Sequence, residues 1–235
     1  LLISDSNDYP FEMIYYNADG STGSLCGNGA RCAIYYGHES GRIAREKIKF
    51  IANEIEYSGQ VLENGLIKFF LNHPKKIKQN FKIKAANQLI TASYADTGSP
   101  HIVIKINDVL RDSSDPKSFY DDLNDFPVLE LGKEIRYHKD FAPLGTNVNF
   151  IQLQNGEIKI RSYERGVEDE TLACGTGSVA AALISFVQNN LNPPIKIHPK
   201  SGDELTVDFK IEDQKVQEIS LTGPAQITFK GEFSI

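Results

Sequence analysis

Two short segments place a cysteine in the same setting. Residues 24–32 read "SLCGNGARC" and residues 173–179 read "ACGTGSV". In each, the cysteine (Cys26, Cys174) is followed by a glycine, a polar residue and a second glycine, and a helical run begins. The two thiols are 148 residues apart, and each stands nine residues after a polar residue, Asn17 or Arg165, that follows or closes an extended stretch. A glycine-rich turn entering a helix presents backbone N–H groups at the positive end of the helix dipole, where a carboxylate binds and a thiolate is favoured. Each loop can therefore hold an anion and present a base. Taken singly, such a loop reads equally well as a tight turn and helix cap around a small buried residue; its repetition argues for shared chemistry. Inverting a stereocentre beside a carboxylate needs a base on one face and an acid on the other, and a thiolate facing a thiol supplies both, with the roles exchanged in reverse. A nucleophilic hydrolase would leave the second copy unexplained. The CxxC spacing of a redox dithiol is absent, and the ligand clusters of a metal site are not recognisable. Cys32, six residues past Cys26 inside the expected helix, reads as core packing.

The elements that must position these thiols are mostly strands. "FEMIYYN" (11–17), "EKIKFI" (46–51) and "EIEYSG" (54–59) are rich in aromatic and β-branched residues. Asn64-Gly65 and Asn155-Gly156 sit between apolar halves of 61–71 and 147–164 and predict hairpins, with a looser turn at Ser201-Gly202-Asp203 within 195–211. Helical patterning is confined to 30–40, a polar stretch near 115–125, and 177–190. The last carries no charge from Gly175 to Gln188, which predicts burial on every side. Two copies of strand, polar loop, Cys-Gly-x-Gly and helix suggest two related α+β domains that each contribute a thiol to one cleft.

The chain has 235 residues, 40% of them hydrophobic, and a formal net charge of −6. That permits a packed core, and with no basic block interleaved with aromatics it argues against a nucleic-acid or membrane-surface partner and for a small soluble ligand. No apolar run reaches the roughly 20 residues of a membrane span and no signal-peptide pattern opens the chain. Three cysteines are too few for a disulfide framework, so a cytoplasmic location is expected. A homodimer is compatible with the sequence and not demanded by it. The chain opens on Leu1 and its one methionine is Met13, which predicts further residues upstream.

In their longer forms, "YNADGSTGSLCGNGARC" (16–32) and "YERGVEDETLACGTGSVAAAL" (163–183) resemble the two signature segments of the diaminopimelate epimerase family. The resemblance runs on through "TGSPHIVI" (97–104), "GTNVNFIQ" (145–152) and "LTGPAQITFKG" (221–231), and so covers essentially the whole chain. It implies a cofactor-independent enzyme, without pyridoxal phosphate or metal, that interconverts LL- and meso-diaminopimelate on the bacterial lysine and peptidoglycan route. The implied fold is α+β, two pseudo-symmetric domains that are each a curved, mostly antiparallel sheet around a central helix. Residues 1–78 plus 222–235 would form one domain and 79–221 the other. The family's catalytic cysteines fall on Cys26 and Cys174, and its assisting histidine and glutamate on His101 and Glu164. Amides of Gly27, Asn28, Gly175 and Thr176 would hold the reacting carboxylate, while Asn17, Asn147 and Arg165 would hold the distal amino-acid end, with Glu164 also touching substrate. Ser99 stands where the family often has asparagine. Read without the family, His101 fits a structural strand-end histidine as well as a site residue, and Glu164-Arg165 an ordinary surface pair. Proline racemases and hydroxyproline epimerases, which usually carry histidine at the position of Asn28, are the neighbouring alternative; a small-molecule binding module without turnover is another. The family's Gly-Asn-Asp-Phe segment has no counterpart in this sequence, so the resemblance implies a first domain without its first strands.

Overall fold

Asn155 and Gly156 take φ of 53° and 79°, the left-handed pair of a tight hairpin. They join two strands in the register the alternation predicts, Glu157 opposite Gln154 through Tyr163 opposite Val148. The turn at Asn64-Gly65 also closes a hairpin, but with only Gly65 left-handed, at φ 81°, and the Leu62 N–H donating to the Leu66 carbonyl at 2.8 Å. The computed structural model describes residues 1–232 except Ala18, Ser24 and Gln214; residues 233–235, the end of the segment expected to complete the first domain, lie outside the described residues.

In chain order the elements are β1 (Leu2–Ser4), β2 (Glu12–Ile14), α1 (Gly27–Glu39), β3 (Ile48–Ala52), β4 (Ile55–Val61), β5 (Ile67–Phe70), β6 (Lys76–Ala85), β7 (Gln88–Asp96), β8 (Pro100–Lys105), α2 (Val128–Arg136), β9 (Asn147–Gln154), β10 (Glu157–Glu164), β11 (Asp169–Thr171), α3 (Gly175–Asn189), β12 (Ile195–Pro199), β13 (Leu205–Glu212) and β14 (Lys215–Gly223). The strands form one sheet in the order β1-β2-β3-β4-β5-β14-β13-β12-β10-β9-β8-β7-β6, with β11 beside β10. Pairing is antiparallel except at β2·β3, β8·β9 and β10·β12, and the chain makes each of those parallel steps through a helix, α1, α2 and α3 in turn. A parallel pair requires such a crossover. The fold is α+β, and the two thiol segments occupy equivalent places in it, between the strands of a parallel pair. Among the described residues no helix is long and apolar enough to cross a membrane.

Strand alternation sorts the side chains of β8, β9 and β10 onto two faces. Ile102, Ile104, Val148, Phe150 and Tyr163 join the core under α2, while Val103, Ile151, Ile158 and Ile160 join the larger core around α3. Helix α3 is buried from Gly175 through Ser185, as its uncharged sequence predicts. Helix α2 buries Val128, Leu131, Gly132 and Ile135, the one-sided spacing of a surface helix. A Cβ on Gly132 would come within 2.6 Å of Tyr163 Cβ, so glycine allows α2 to lie directly on β10.

Two expectations are corrected. The polar stretch 115–125 is not an α-helix: Asp112, Asp115 and Asp122 each accept a hydrogen bond from the backbone N–H two residues on, and only Leu123–Asp125 makes a single 3-10 turn. Such side-chain bonds compete with the helical ladder, and the real helix begins after Pro127. Cys32 is exposed, not core. The buried face of α1 is Gly27, Ala30, Arg31, Ala33, Ile34 and Gly37, which turns residue 32 toward solvent.

Candidate active site

Both cysteines are helix N-caps in nearly the same backbone conformation, Cys26 at φ −106°, ψ 106° and Cys174 at φ −113°, ψ 108°. The first glycine of each motif lets the two helix starts meet. A Cβ on Gly175 would lie 3.2 Å from Gly27 Cα and 2.9 Å from Leu221 Cδ2, and one on Gly27 would lie 3.4 Å from Gly175 Cα. The second glycine clears space for sulfur: a Cβ on Gly177 would come within 2.2 Å of Asn149 Oδ1 and 3.2 Å of Cys174 Sγ, and one on Gly29 within 3.4 Å of Cys26 Sγ. The positive ends of α1 and α3 thus converge, an arrangement that calls for an anion between them. Asn28 ties the loops together. Its Nδ2 donates to the Ala173 carbonyl at 2.8 Å, and its Oδ1 accepts from Arg31 Nη2 at 3.1 Å.

These groups line a cavity of about 220 Å³ together with Tyr15, Asn17, Ser99, Asn147, Glu164, Arg165 and Thr171. Of the residues singled out in the sequence, Cys26, Cys174, Asn17, Gly27, Asn28, Ser99, Asn147, Glu164, Arg165, Gly175 and Thr176 all reach its wall. Only His101 does not. It is fully buried behind Ser99 and Thr176, on the α3 face of β8. The sequence motifs give no signal for Tyr15 and Thr171; Thr171 Oγ1 donates a hydrogen bond to Glu164 Oε1 and so orients that carboxylate.

The polar residues come from alternation on one face: His101 pairs with Asn147 across β8·β9, and Asn149 with Ser162 across β9·β10. Asn147 Oδ1 accepts from the Arg165 backbone N–H at 2.9 Å, and its Nδ2 donates to the Pro100 carbonyl at 3.0 Å, so β9 holds the corner where β10 leaves the sheet. The Arg165 guanidinium makes one side-chain hydrogen bond among the described residues, to the Leu144 carbonyl at 3.5 Å, which leaves most of its donors for a ligand. Behind the wall His101 Nε2 lies 2.8 Å from Ser99 Oγ and 2.9 Å from Thr176 Oγ1, and Nδ1 lies 3.1 Å from Asn149 Nδ2.

Burial raises the Cys26 thiol pKa, opposed by the Gly29 N–H that donates to Sγ at 3.2 Å. Burial pushes Cys174 well above its ordinary range, and the Glu164 carboxylate pushes it further. Glu164 is itself raised by burial, with the hydrogen bonds from Thr171 and Cys174 acting against the shift. Burial lowers His101 to about 3, so its ring is neutral at physiological pH. Among the described residues no group of three or more His, Cys, Asp or Glu side chains is placed to hold a metal ion.

Comparison with known proteins places this geometry. The family model described as diaminopimelate epimerase matches residues 93–228. A diaminopimelate epimerase of Aquifex aeolicus is 38% identical over 98% of this chain and 77% of its own length, and one of Chlorobaculum tepidum is 35% identical over 100% and 84%. In fold, the chain is similar to the crystal structure of a probable proline racemase from Agrobacterium radiobacter, with a TM-score of 0.68 at 14% identity over 98% of this chain and 75% of that one. The sequence match extends across both thiol loops and the strands between them, and the chain belongs to the diaminopimelate epimerase family, an isomerase of the racemase and epimerase class.

Proposed function

We propose that the protein interconverts LL- and meso-diaminopimelate by removing the α-proton with one of Cys26 and Cys174 and returning a different proton from the other, without a cofactor. The observation that carries this reading is the pair of cysteine N-caps whose helices converge on one cavity. Amides of Gly27, Asn28, Gly175 and Thr176 hold the carboxylate of the reacting centre, and a carboxylate bound there favours the build-up of negative charge when Cα loses its proton. The thiolate on one face takes the Cα proton; the C–H electron pair delocalises into the carboxylate; the thiol on the other face delivers its proton as that pair returns to carbon. The C–H bond broken on one face is replaced by one formed on the other, and the thiolate and thiol have exchanged places.

Asn17, Asn147 and Arg165 hold the distal amino-acid end, where a guanidinium suits two-point carboxylate recognition. Glu164, beside Cys174, keeps that sulfur protonated when Cys26 is the base. His101 acts from behind the wall. Residues 1–78 with 222–235 close against 79–221, excluding water from the ionised centre. The enzyme serves lysine and peptidoglycan-precursor synthesis in a reducing, cytoplasmic setting, which matches its free thiols.

The test is inversion of LL-diaminopimelate followed by chiral chromatography, with the parent, Cys26→Ala and Cys174→Ala. Inversion by the parent and its loss in both variants supports the reading. A folded, reduced parent that binds diaminopimelate without inverting it overturns the reading in favour of a binding module.

A further inference from the structure

Asn149 is fully buried, has no access to the cavity, and was not singled out by any motif. Its Nδ2 donates to the Ile102 carbonyl at 2.9 Å. Because that carbonyl accepts only, the amide orientation is fixed, and the Oδ1 on the other side accepts from Ser162 Oγ at 2.9 Å. The same Nδ2 faces His101 Nδ1 at 3.1 Å, so Nδ1 must be the unprotonated, accepting nitrogen and Nε2 must carry the hydrogen. That hydrogen points to the two hydroxyls, Ser99 and Thr176. Ser99 also receives Asn147 Nδ2 at 3.4 Å and lies 3.2 Å from Thr176 Oγ1, so it passes its own proton to Thr176. Thr176 Oγ1 then accepts from both neighbours. The acceptor left for its proton is Cys174 Sγ, at 3.8 Å.

We infer that Asn149 is a positioning residue: by fixing the His101 tautomer it turns the Thr176 hydroxyl toward Cys174, giving the second thiolate a side-chain donor. Cys26 has its Gly29 N–H at 3.2 Å and Cys174 the Gly177 N–H, and at Cys174 the Thr176 hydroxyl stands beside it at 3.8 Å. The chain Asn149, His101, Thr176 aims that hydroxyl. It also accounts for a histidine that is buried out of reach of substrate and yet belongs to the site: His101 relays orientation and does not itself exchange a proton. The inference rests on the two-thiol reading only for the use made of the Cys174 thiolate, and its tests need no turnover.

In 15N-histidine NMR of the parent, with His101 assigned by loss of its signal in His101→Gln, we expect one neutral tautomer with the proton on Nε2, unchanged from pH 6 to 8. A proton on Nδ1, or an imidazolium appearing in that range, overturns the inference. In Asn149→Leu the single tautomer should give way to a mixture; an unchanged tautomer in a folded Asn149→Leu removes Asn149 from the relay. Peptide-resolved alkylation by iodoacetamide reads the sulfur directly. Thr176→Val, which keeps the backbone amide, should slow Cys174 about three- to tenfold, and Thr176→Ser should restore it, the scale of one ordinary net hydrogen bond. Equal rates in parent and Thr176→Val overturn the donor role. Failure of the epimerase assay alone would leave these results standing and would count against the turnover reading only.

Discussion

The two thiol loops share a backbone and differ in burial and in the charged groups nearest the sulfur. Cys26 is half-buried, takes an N–H from Gly29 and has the buried Arg31 cation nearby, both of which favour its thiolate. Cys174 is buried in the interior, lies beside Glu164, and is pushed much further toward the thiol. A pair of identical loops would have no preferred resting state. Here the surroundings oppose the thiolate more strongly at Cys174 than at Cys26, and under the proposed mechanism the two segments would supply the acid and the base of one proton transfer. The loops also differ in how tightly their second glycines are held. Gly177 is pressed between Asn149 and Cys174, whereas Gly29 meets mainly the flexible end of Leu1, 2.8 Å from where its Cβ would stand.

The largest effect should come from those glycines. Gly177→Ala must displace Asn149 or the sulfur and should reduce turnover by about 100-fold, the scale of an ångström-sized misplacement. Gly29→Ala should stay within about threefold of the parent, because a leucine side-chain end can move aside. Similar losses in the two variants, measured as kcat, would erase the proposed difference. Next is Glu164→Gln. Removing the carboxylate removes the repulsion that raises Cys174, so alkylation of Cys174 at neutral pH should speed up by about tenfold, one pKa unit, while Cys26 changes less. Under the proposed mechanism turnover should fall, since the carboxylate that biases the pair toward a thiol at Cys174 is gone. In the unsubstituted protein the same assay should label Cys26 about three- to tenfold faster than Cys174, with both rates rising as pH increases. Faster labelling of Cys174 would invert the assignment of base and acid.

The pH dependence of stability gives a separate test. His101 is held neutral in the folded protein at a pKa of about 3, while an unfolded histidine titrates near 6.5. Its folded pKa is depressed, so below pH 6.5 the unfolded chain takes up a proton that the folded one refuses. Stability should therefore fall by about 1.4 kcal/mol per pH unit from about pH 6.5 toward pH 3, and level off below that. Urea titrations of His101→Gln should show a flatter acid limb. An equal slope would place the acid sensitivity elsewhere.

What was legible in the sequence is what short-range chemistry determines. Asn-Gly pairs turned hairpins because their glycines accept left-handed φ, and both thiol loops led into helices whose N-cap positions the cysteines occupy. Nearly the whole cavity wall followed from the two signature segments and the strand motifs between them. The rest depended on partners far along the chain. Helix α2 starts at a proline without a side-chain cap, behind aspartates that close local turns, so no local signal marks it. The depth of His101 is set by Thr176, 75 residues away, and its tautomer by Asn149, 48 away. A signal for Asn149 did exist: in "NVNF" two asparagines alternate with two apolar residues, which on a strand puts both amides on one face. The exposure of Cys32 is legible only from the helix's own period: counting 3.6 residues per turn from the buried Ala30, Ala33 and Ile34 puts residue 32 outside.

The central claim is that two sulfurs act on opposite faces of one carbon. Its most direct test is the position of solvent deuterium in the first turnovers of LL-diaminopimelate in D2O, read by NMR and mass spectrometry. Two thiols predict deuterium at the inverted centre of the product from the start while recovered substrate keeps its hydrogen. Product that retains the substrate's hydrogen, or equal deuterium in both isomers at the earliest times, would point to a single base and contradict the account.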